Sequence, residues 1–310
     1  MKIFVTGVGG QLGHDCVNDL AHRGYDVIGS DIHPSYSGIM DGSAVVSTPY
    51  IPLDITERDA VLQAIHELHP DAVIHCAAWT AVDEAEKEEN WDEVDRINHL
   101  GTQYIAEAVK AVSAKMLYVS SDYVFDGIGT RPWKPDEQCL RPLNVYGRSK
   151  LEGERAVSSI LEKFFIVRTS WAFGLNGKNF IKTMIDAGKT HPEVHVVNDQ
   201  IGTPTYTFDL ARLLADMIGT EKYGYYHATN AESEPGGYIS WYDFCVEFYK
   251  QYGLSTRVIP VTTEEYGLSK AVKPANSRLD KTKSLKAGFD PLPDWKDAVA
   301  RYLRKMKIYE

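Results

Sequence analysis

A chain of 310 residues, 44% hydrophobic and 25% charged, is long enough to bury one large core or two unequal ones. Its formal net charge of -10 excludes nucleic acid as a partner, since phosphate backbones select basic surfaces, and any anionic substrate must meet locally placed bases. Cys16, Cys76, Cys139 and Cys245 show no C-x-x-C spacing and no signal peptide or membrane span is evident, so neither zinc nor disulfides are indicated and a reducing cytoplasm is the expected compartment.

Lys2-Ile3-Phe4-Val5-Thr6 is an apolar run too short for a helix and closed by glycine, which reads as a buried strand. Gly7-Val8-Gly9-Gly10-Gln11-Leu12-Gly13 follows. Glycines at 7, 10 and 13 permit a tight turn, close approach of backbone to a pyrophosphate and close packing of the next helix on the sheet. That helix, about 11–23, directs its first N–H groups at the phosphates, with Gln11 and Leu12 in its opening turn. A second strand, 25–30, ends at Asp31, 18 residues past Gly13, where a carboxylate accepts hydrogen bonds from the adenosine ribose. It also repels a 2′-phosphate, and only His33 stands near to offset that, so NADH is favoured over NADPH.

Residues 33–48 read as a surface loop. An extended segment then runs to Leu53 and Asp54, before a helix over about 57–68 with Thr56 as its cap. The strand 72–75 ends in Cys76-Ala77-Ala78-Trp79-Thr80, whose small residues leave room for a flat ligand at the sheet edge where open α/β sheets bind ligands. Ala77, Ala78 and Thr80 are thus candidate cofactor contacts, although strand-to-helix packing explains each singly. The acidic run 83–89 reads as a solvated helix face, and 91–112 as one amphipathic helix with Asn98 exposed. A further strand, 116–119, ends in Ser120-Ser121-Asp122-Tyr123, hydroxyls and a carboxylate able to hydrogen-bond a substrate oxygen.

Tyr146 and Lys150 are four apart, one turn above each other on a helix. A phenol titrates near pH ~10, and acting near neutrality requires lowering by roughly two to three units, much of which a neighbouring ammonium can supply. The pair therefore reads as a proton donor with its electrostatic tuner, suited to carbonyl reduction.

Ser-Ser-Asp-Tyr-Val-Phe at 120–125 followed by Asn-Val-Tyr-Gly-Arg-Ser-Lys at 144–150 resembles the extended short-chain dehydrogenase/reductase superfamily, and within it most closely the dTDP-4-dehydrorhamnose reductase family. The likeness continues through 77–83, Arg168-Thr169-Ser170-Trp171, 198–205 and 274–279, with Ser121 standing where that family usually has threonine. The resemblance implies NAD(P)H-dependent reduction of the C4 keto group of dTDP-4-dehydro-L-rhamnose to dTDP-L-rhamnose. Tyr146 would protonate the C4 oxygen, Lys150 hold the nicotinamide ribose, and Ser121 orient the carbonyl. Ser121, Asp122, Tyr123 and Trp171 would surround the deoxyhexose, Trp171 covering its apolar face. The implied fold is a doubly wound Rossmann-type parallel sheet with a smaller C-terminal α/β lobe. Residues 1–170 with a return segment 207–230 would form the dinucleotide-binding domain, and 171–206 with 231–310 the sugar-nucleotide lobe.

In the remaining chain, a smaller lobe interleaved with returns to the main sheet, the pattern predicts helices over 179–187 and 208–218, extended chain at 225–228 and a helix capped by Ser240 and Asp243. Arg278 is the leading candidate base for the substrate diphosphate, ahead of Lys178 and Lys182, which read better as solvated charges. No magnesium ligands carry over, and a homodimer is an expectation from the general prevalence of symmetric oligomers. Two other function classes remain open: an epimerase or 4,6-dehydratase on the same scaffold, and a non-catalytic nucleotide-binding subunit. Elimination by a dehydratase is opposed by Tyr123, which stands where an Asp-Glu pair would need its second acid.

Overall fold

The computed structural model describes residues 1–138 and 140–309; Cys139 and Glu310 lie outside the described residues. β1 (Lys2–Thr6), β2 (Asp26–Asp31), β3 (Tyr50–Pro52), β4 (Ala72–His75), β5 (Lys115–Ser121) and β6 (Phe164–Thr169) form one parallel sheet, joined at the β6 edge by the strand Gly224–His227. The spatial order is 224–227, β6, β5, β4, β1, β2, β3. The chain thus winds outward from β1 through β2 and β3, then returns to β4 on the other side of β1. Ligands bind at such a reversal, where two adjacent connections diverge and leave a crevice above the strand ends.

The strands read as near-continuous apolar runs because helices cover both faces. On one face Val5, Ile74 and Val167 pack beneath the helices Gln11–His22 and Thr207–Ile218. On the other, Phe4, Val73 and Ile166 pack beneath Arg58–Leu68 and Thr102–Ala111. Each such side chain contributes on the order of 2 kcal/mol through burial. A separate aromatic core of Phe173, Tyr206, Phe244, Phe248 and Tyr302 forms the smaller lobe. The architecture is the expected α/β one, and 207–218 and 224–227 rejoin the main sheet and its covering layer.

Several local expectations fail for physical reasons. The segment 91–112 is not one regular helix: Trp91–Asp95 passes through a π-helical turn, Arg96–Gly101, into Thr102–Ala111. Asn98, within that turn, is fully buried rather than exposed, on the same face as Val94, Thr102 and Ile105. Thr56 does not cap the helix Arg58–Leu68, which starts with Glu57 at the capping position and no side-chain cap, while the Thr56 hydroxyl donates to Asp54 Oδ1 at 2.8 Å. The stretch 33–48 contains a short helix, Ala44–Ser47. The acidic run is no mere solvated face. Asp83 Oδ1 accepts from Ser269 Oγ at 2.7 Å and from the Lys270 and Ala271 N–H groups, and Glu86 Oε1 accepts from Val145 N at 2.6 Å.

Beneath the sheet edge, Arg168 and Glu154 form an ion pair, each 1% exposed. Arg168 Nε and Nη2 donate to the two carboxylate oxygens at 2.8 and 2.7 Å, and Ser120 Oγ donates to the first of them at 2.5 Å. The bidentate geometry satisfies charges that burial would otherwise make costly, and it fastens the helix Val145–Ile160 to β5 and β6.

Candidate active site

The glycine loop is shaped by contacts that leave no space for side chains. Gly7 has φ +74°, and a Cβ there would lie 2.5 Å from Ala77 N; one on Gly13 would lie 2.2 Å from the Gly7 carbonyl oxygen. Gly10 precedes the helix Gln11–His22 without any side-chain cap, so the first N–H groups remain available to an anion. Gly9 N donates to Asp31 Oδ2 at 2.8 Å, and Asn176 Nδ2 donates to the Gly9 carbonyl at 2.8 Å. Asn176 Oδ1 in turn accepts from Ile39 N at 3.0 Å, so one amide ties together the glycine turn, the loop after β2 and the smaller lobe.

Across the crevice, Asn144 caps the helix Val145–Ile160 by accepting from Gly147 N at 2.7 Å, which sets where Tyr146 and Lys150 emerge. Lys150 Nζ donates to the Val119 carbonyl at 2.8 Å and lies 4.2 Å from the centre of the Tyr118 ring. Ser121 Oγ donates to Asp122 Oδ1 at 2.9 Å, and the Tyr123 ring meets Tyr146 edge-on, with centroids 5.5 Å apart. Asn98 braces the helix from behind. Its Nδ2 donates to Ser149 Oγ at 2.9 Å and to the Trp79 carbonyl at 3.1 Å, while its Oδ1 accepts from Trp79 N at 2.8 Å.

The electrostatics differ from the expectation that Lys150 lowers the Tyr146 pKa. Burial pushes the phenol up to about 12, with a hydrogen bond to Ser121 pulling it back and the Asp122 charge adding to the rise. Burial also brings the Lys150 ammonium down to about 7, against the attraction of Glu154 one turn on. Burial disfavours both charged forms and is the largest cause of each shift. Burial raises Asp122 to about 6, with hydrogen bonds from Ser277 and Ser121 pulling it back.

One cavity of about 850 Å³ gathers these groups. Gly7, Gly10, Gln11, Leu12 and Gly13 line one wall, with Asp31 and Asp54 beyond them. Ala77, Ala78 and Thr80 lie between, and Ser121, Asp122, Tyr123, Tyr146, Lys150 and Trp171 line the opposite side. Arg278 does not line it. Its Nη1 donates to Asn276 Oδ1 at 3.0 Å and its guanidinium lies 5.9 Å from the Tyr238 ring centre. Lys178 lines the cavity, whereas Lys182 is drawn to the Leu175 and Gly177 carbonyls rather than solvated. His33 and Arg96 are further bases on the wall. Asn176 and Trp241 carry no local sequence signal. Only the return of distant chain brings them to the site.

A family model described as the RmlD substrate binding domain matches residues 1–308. The chain is 36% identical to the spore coat polysaccharide biosynthesis protein SpsK of Bacillus subtilis (strain 168), covering 98% of this chain and 97% of that protein. It is 38% identical to a dTDP-4-dehydrorhamnose reductase of Aggregatibacter actinomycetemcomitans, covering 99% of each. A crystal structure of dTDP-4-dehydrorhamnose reductase from Bacillus anthracis in complex with NADP superposes with a TM-score of 0.86 at 36% identity, covering 98% of this chain and 99% of that one.

Proposed function

Because the chain belongs to the RmlD substrate binding domain family, we propose that it works as follows. It is a nicotinamide-dependent oxidoreductase that reduces the C4 keto group of dTDP-4-dehydro-L-rhamnose to give dTDP-L-rhamnose. The observation that carries the reading is the single cavity that places a dinucleotide-type glycine turn opposite Tyr146, Lys150 and Ser121.

The turn suits a dinucleotide, since the Gly7 and Gly13 contacts exclude any Cβ and the uncapped helix start faces the same space. A reduced nicotinamide bound there supplies hydride to the C4 carbon. Tyr146, protonated in its buried setting, gives its proton to the oxygen as negative charge develops on it. Ser121 exchanges its bond to Asp122 for one to the same oxygen and holds the carbonyl toward the phenol. Lys150 would hold the nicotinamide ribose, and negative charge developing on the carbonyl oxygen favours its ammonium form, which eases proton release from Tyr146. Asp122, Tyr123 and Trp171 line the space for the sugar, with Tyr123 and Trp171 against the apolar face of the ring. The Asp31 carboxylate, at the ribose end, favours NADH over NADPH.

Residues 1–170 with 207–230 serve as the dinucleotide-binding body, and 171–206 with 231–310 as the substrate lobe. Arg278 takes no part in binding the diphosphate unless it leaves Tyr238, which makes Lys178 the better-placed base. The substrate is a nucleotide sugar, and no helix among the described residues is long and apolar enough to cross a membrane.

The decisive test is to strip the protein of nucleotide and mix it with NADH or NADPH and the 4-keto sugar nucleotide. A stoichiometric fall in reduced-nicotinamide absorbance is expected. An epimerase or dehydratase would convert the sugar without net consumption, and a binding subunit would leave both unchanged.

A further inference from the structure

Two indoles face each other at the substrate end of the cavity. The rings of Trp171 and Trp241 stack with centroids 4.0 Å apart and planes 20° from parallel, and both line the cavity. Trp171 has φ +50°, a left-handed backbone that a bulky residue adopts only where its surroundings impose it. Thr205 N donates to the Trp171 carbonyl at 3.2 Å, which anchors the turn. Gly202 leaves space for the ring: a Cβ there would sit 3.1 Å from Trp171 Cε2 and Cζ2 and 3.0 Å from Ser277 Cβ.

Trp241 closes the arrangement. It is the first residue of the helix Trp241–Tyr252, whose Ser240–Asp243 capping box fixes the point at which the indole leaves the chain. The strand Ile239–Ser240 pairs antiparallel with Ile201–Gly202, with Ile239 opposite Gly202. One short ribbon therefore carries both the gap that admits the Trp171 ring and the ring that backs it. Phe180 meets Trp241 edge-on at 4.6 Å, so the second indole has a rigid support of its own.

Resting on the reading of Trp171 as a wall of the substrate site, we propose that Trp241 is a positioning residue for the nucleotide sugar. It backs one face of Trp171, so that the other face is presented at a fixed height to the apolar face of the bound hexose. The wall touches substrate and transition state alike, so its loss weakens binding without slowing the chemical step. The cofactor end, held by the glycine turn and Asp31, is independent of it.

The test compares Trp241→Phe and Gly202→Ala with the parent chain. It measures KM for dTDP-4-dehydro-L-rhamnose, KM for NADH, kcat, and the far-ultraviolet circular dichroism couplet that two stacked indoles produce. Trp241→Phe is expected to remove the couplet and raise the sugar-nucleotide KM roughly three- to tenfold, leaving kcat and the NADH KM within about twofold. Gly202→Ala, which pushes on Trp171 with Trp241 intact, is expected to raise the same KM and to carry the test if the first variant does not fold. An unchanged sugar-nucleotide KM with the couplet gone overturns the proposal, and so does a parallel rise in both KM values, which marks general loosening. Trp171→Phe separates the two failures. If it too leaves that KM unchanged, the underlying reading of Trp171 falls; if it raises KM where Trp241→Phe does not, only the role of Trp241 falls.

Discussion

Asn98 Nδ2 donates to Ser149 Oγ at 2.9 Å, and through that bond a π-helical turn fastens the helix that carries Tyr146 and Lys150. The same amide exchanges bonds with both the N–H and the carbonyl of Trp79, so three segments from different parts of the chain meet on one buried side chain. Asn98→Ala is expected to cost on the order of 3 kcal/mol, because it leaves buried backbone and hydroxyl groups unpaired. Urea unfolding measures this, and a kcat about tenfold lower should accompany it as the phenol loses its exact placement. A variant as stable as the parent would remove Asn98 from this role.

Tyr146→Phe keeps the ring that Tyr123 packs against and removes only the hydroxyl. Turnover should fall by roughly 10²- to 10⁴-fold, while the dissociation constant for NADH stays within about twofold. Stopped-flow turnover and fluorescence titration check the two halves separately.

Lys150 has its pKa lowered to about 7 by burial, so its cationic fraction falls as pH rises through that value. Since kcat/KM reports groups of the free enzyme, it should decline above about pH 7, approaching tenfold per unit if the ammonium is required. In Lys150→Met, kcat/KM should be low and lack this limb. A parent profile flat from pH 6 to 9 would show that the ammonium is not needed.

Asp15 is buried beneath the glycine-loop helix, accepts from Thr207 Oγ1 at 2.6 Å and has its pKa raised to about 7, with burial the largest cause. A folded value above the unfolded one means that this stabilisation is complete below about pH 4 and lost as pH rises through about 7. Asp15→Asn keeps an acceptor for Thr207 without the charge. It should raise Tm at pH 8 relative to the parent, by the equivalent of up to about 4 kcal/mol, and little at pH 4. Thermal melts at the two pH values decide it.

Asp31→Asn should move the ratio of kcat/KM for NADPH over NADH upward by about tenfold, since it removes a charge that repels the 2′-phosphate. An unchanged ratio would place the carboxylate away from the ribose.

The features legible in the sequence are those set by local chemistry. Short apolar runs became β1 and β4, the first closed by glycine and the second by Cys76-Ala77-Ala78, the spacing of Gly7, Gly10 and Gly13 became a turn with no room for Cβ atoms at Gly7 and Gly13, and Ser240 with Asp243 formed the capping box their spacing suggests. What stayed hidden depends on distant chain or on departures from regular geometry. Asn98 lies on the buried stripe of Val94, Thr102 and Ile105, but nothing in the local sequence announces its distant partners Trp79 and Ser149. Thr56 had a capping residue's spacing, yet the helix begins at Arg58 with Glu57 at the capping position. Arg278 carried the right charge, but it lies beside Tyr238 and Asn276, outside the cavity lining. The Tyr146–Lys150 spacing was legible, whereas the desolvation that governs both pKa values depends on how deeply the helix is packed.

The bond from Gly9 N to Asp31 Oδ2 means that the residue expected to choose between the two dinucleotides also shapes the turn that would receive either. A protein engineer wishing to switch coenzymes here cannot treat that acid as a free selector, because exchanging it for an apolar or basic side chain withdraws an acceptor from the loop. Successful redesigns should therefore come as paired changes, one relieving the repulsion and a second restoring an oxygen to Gly9.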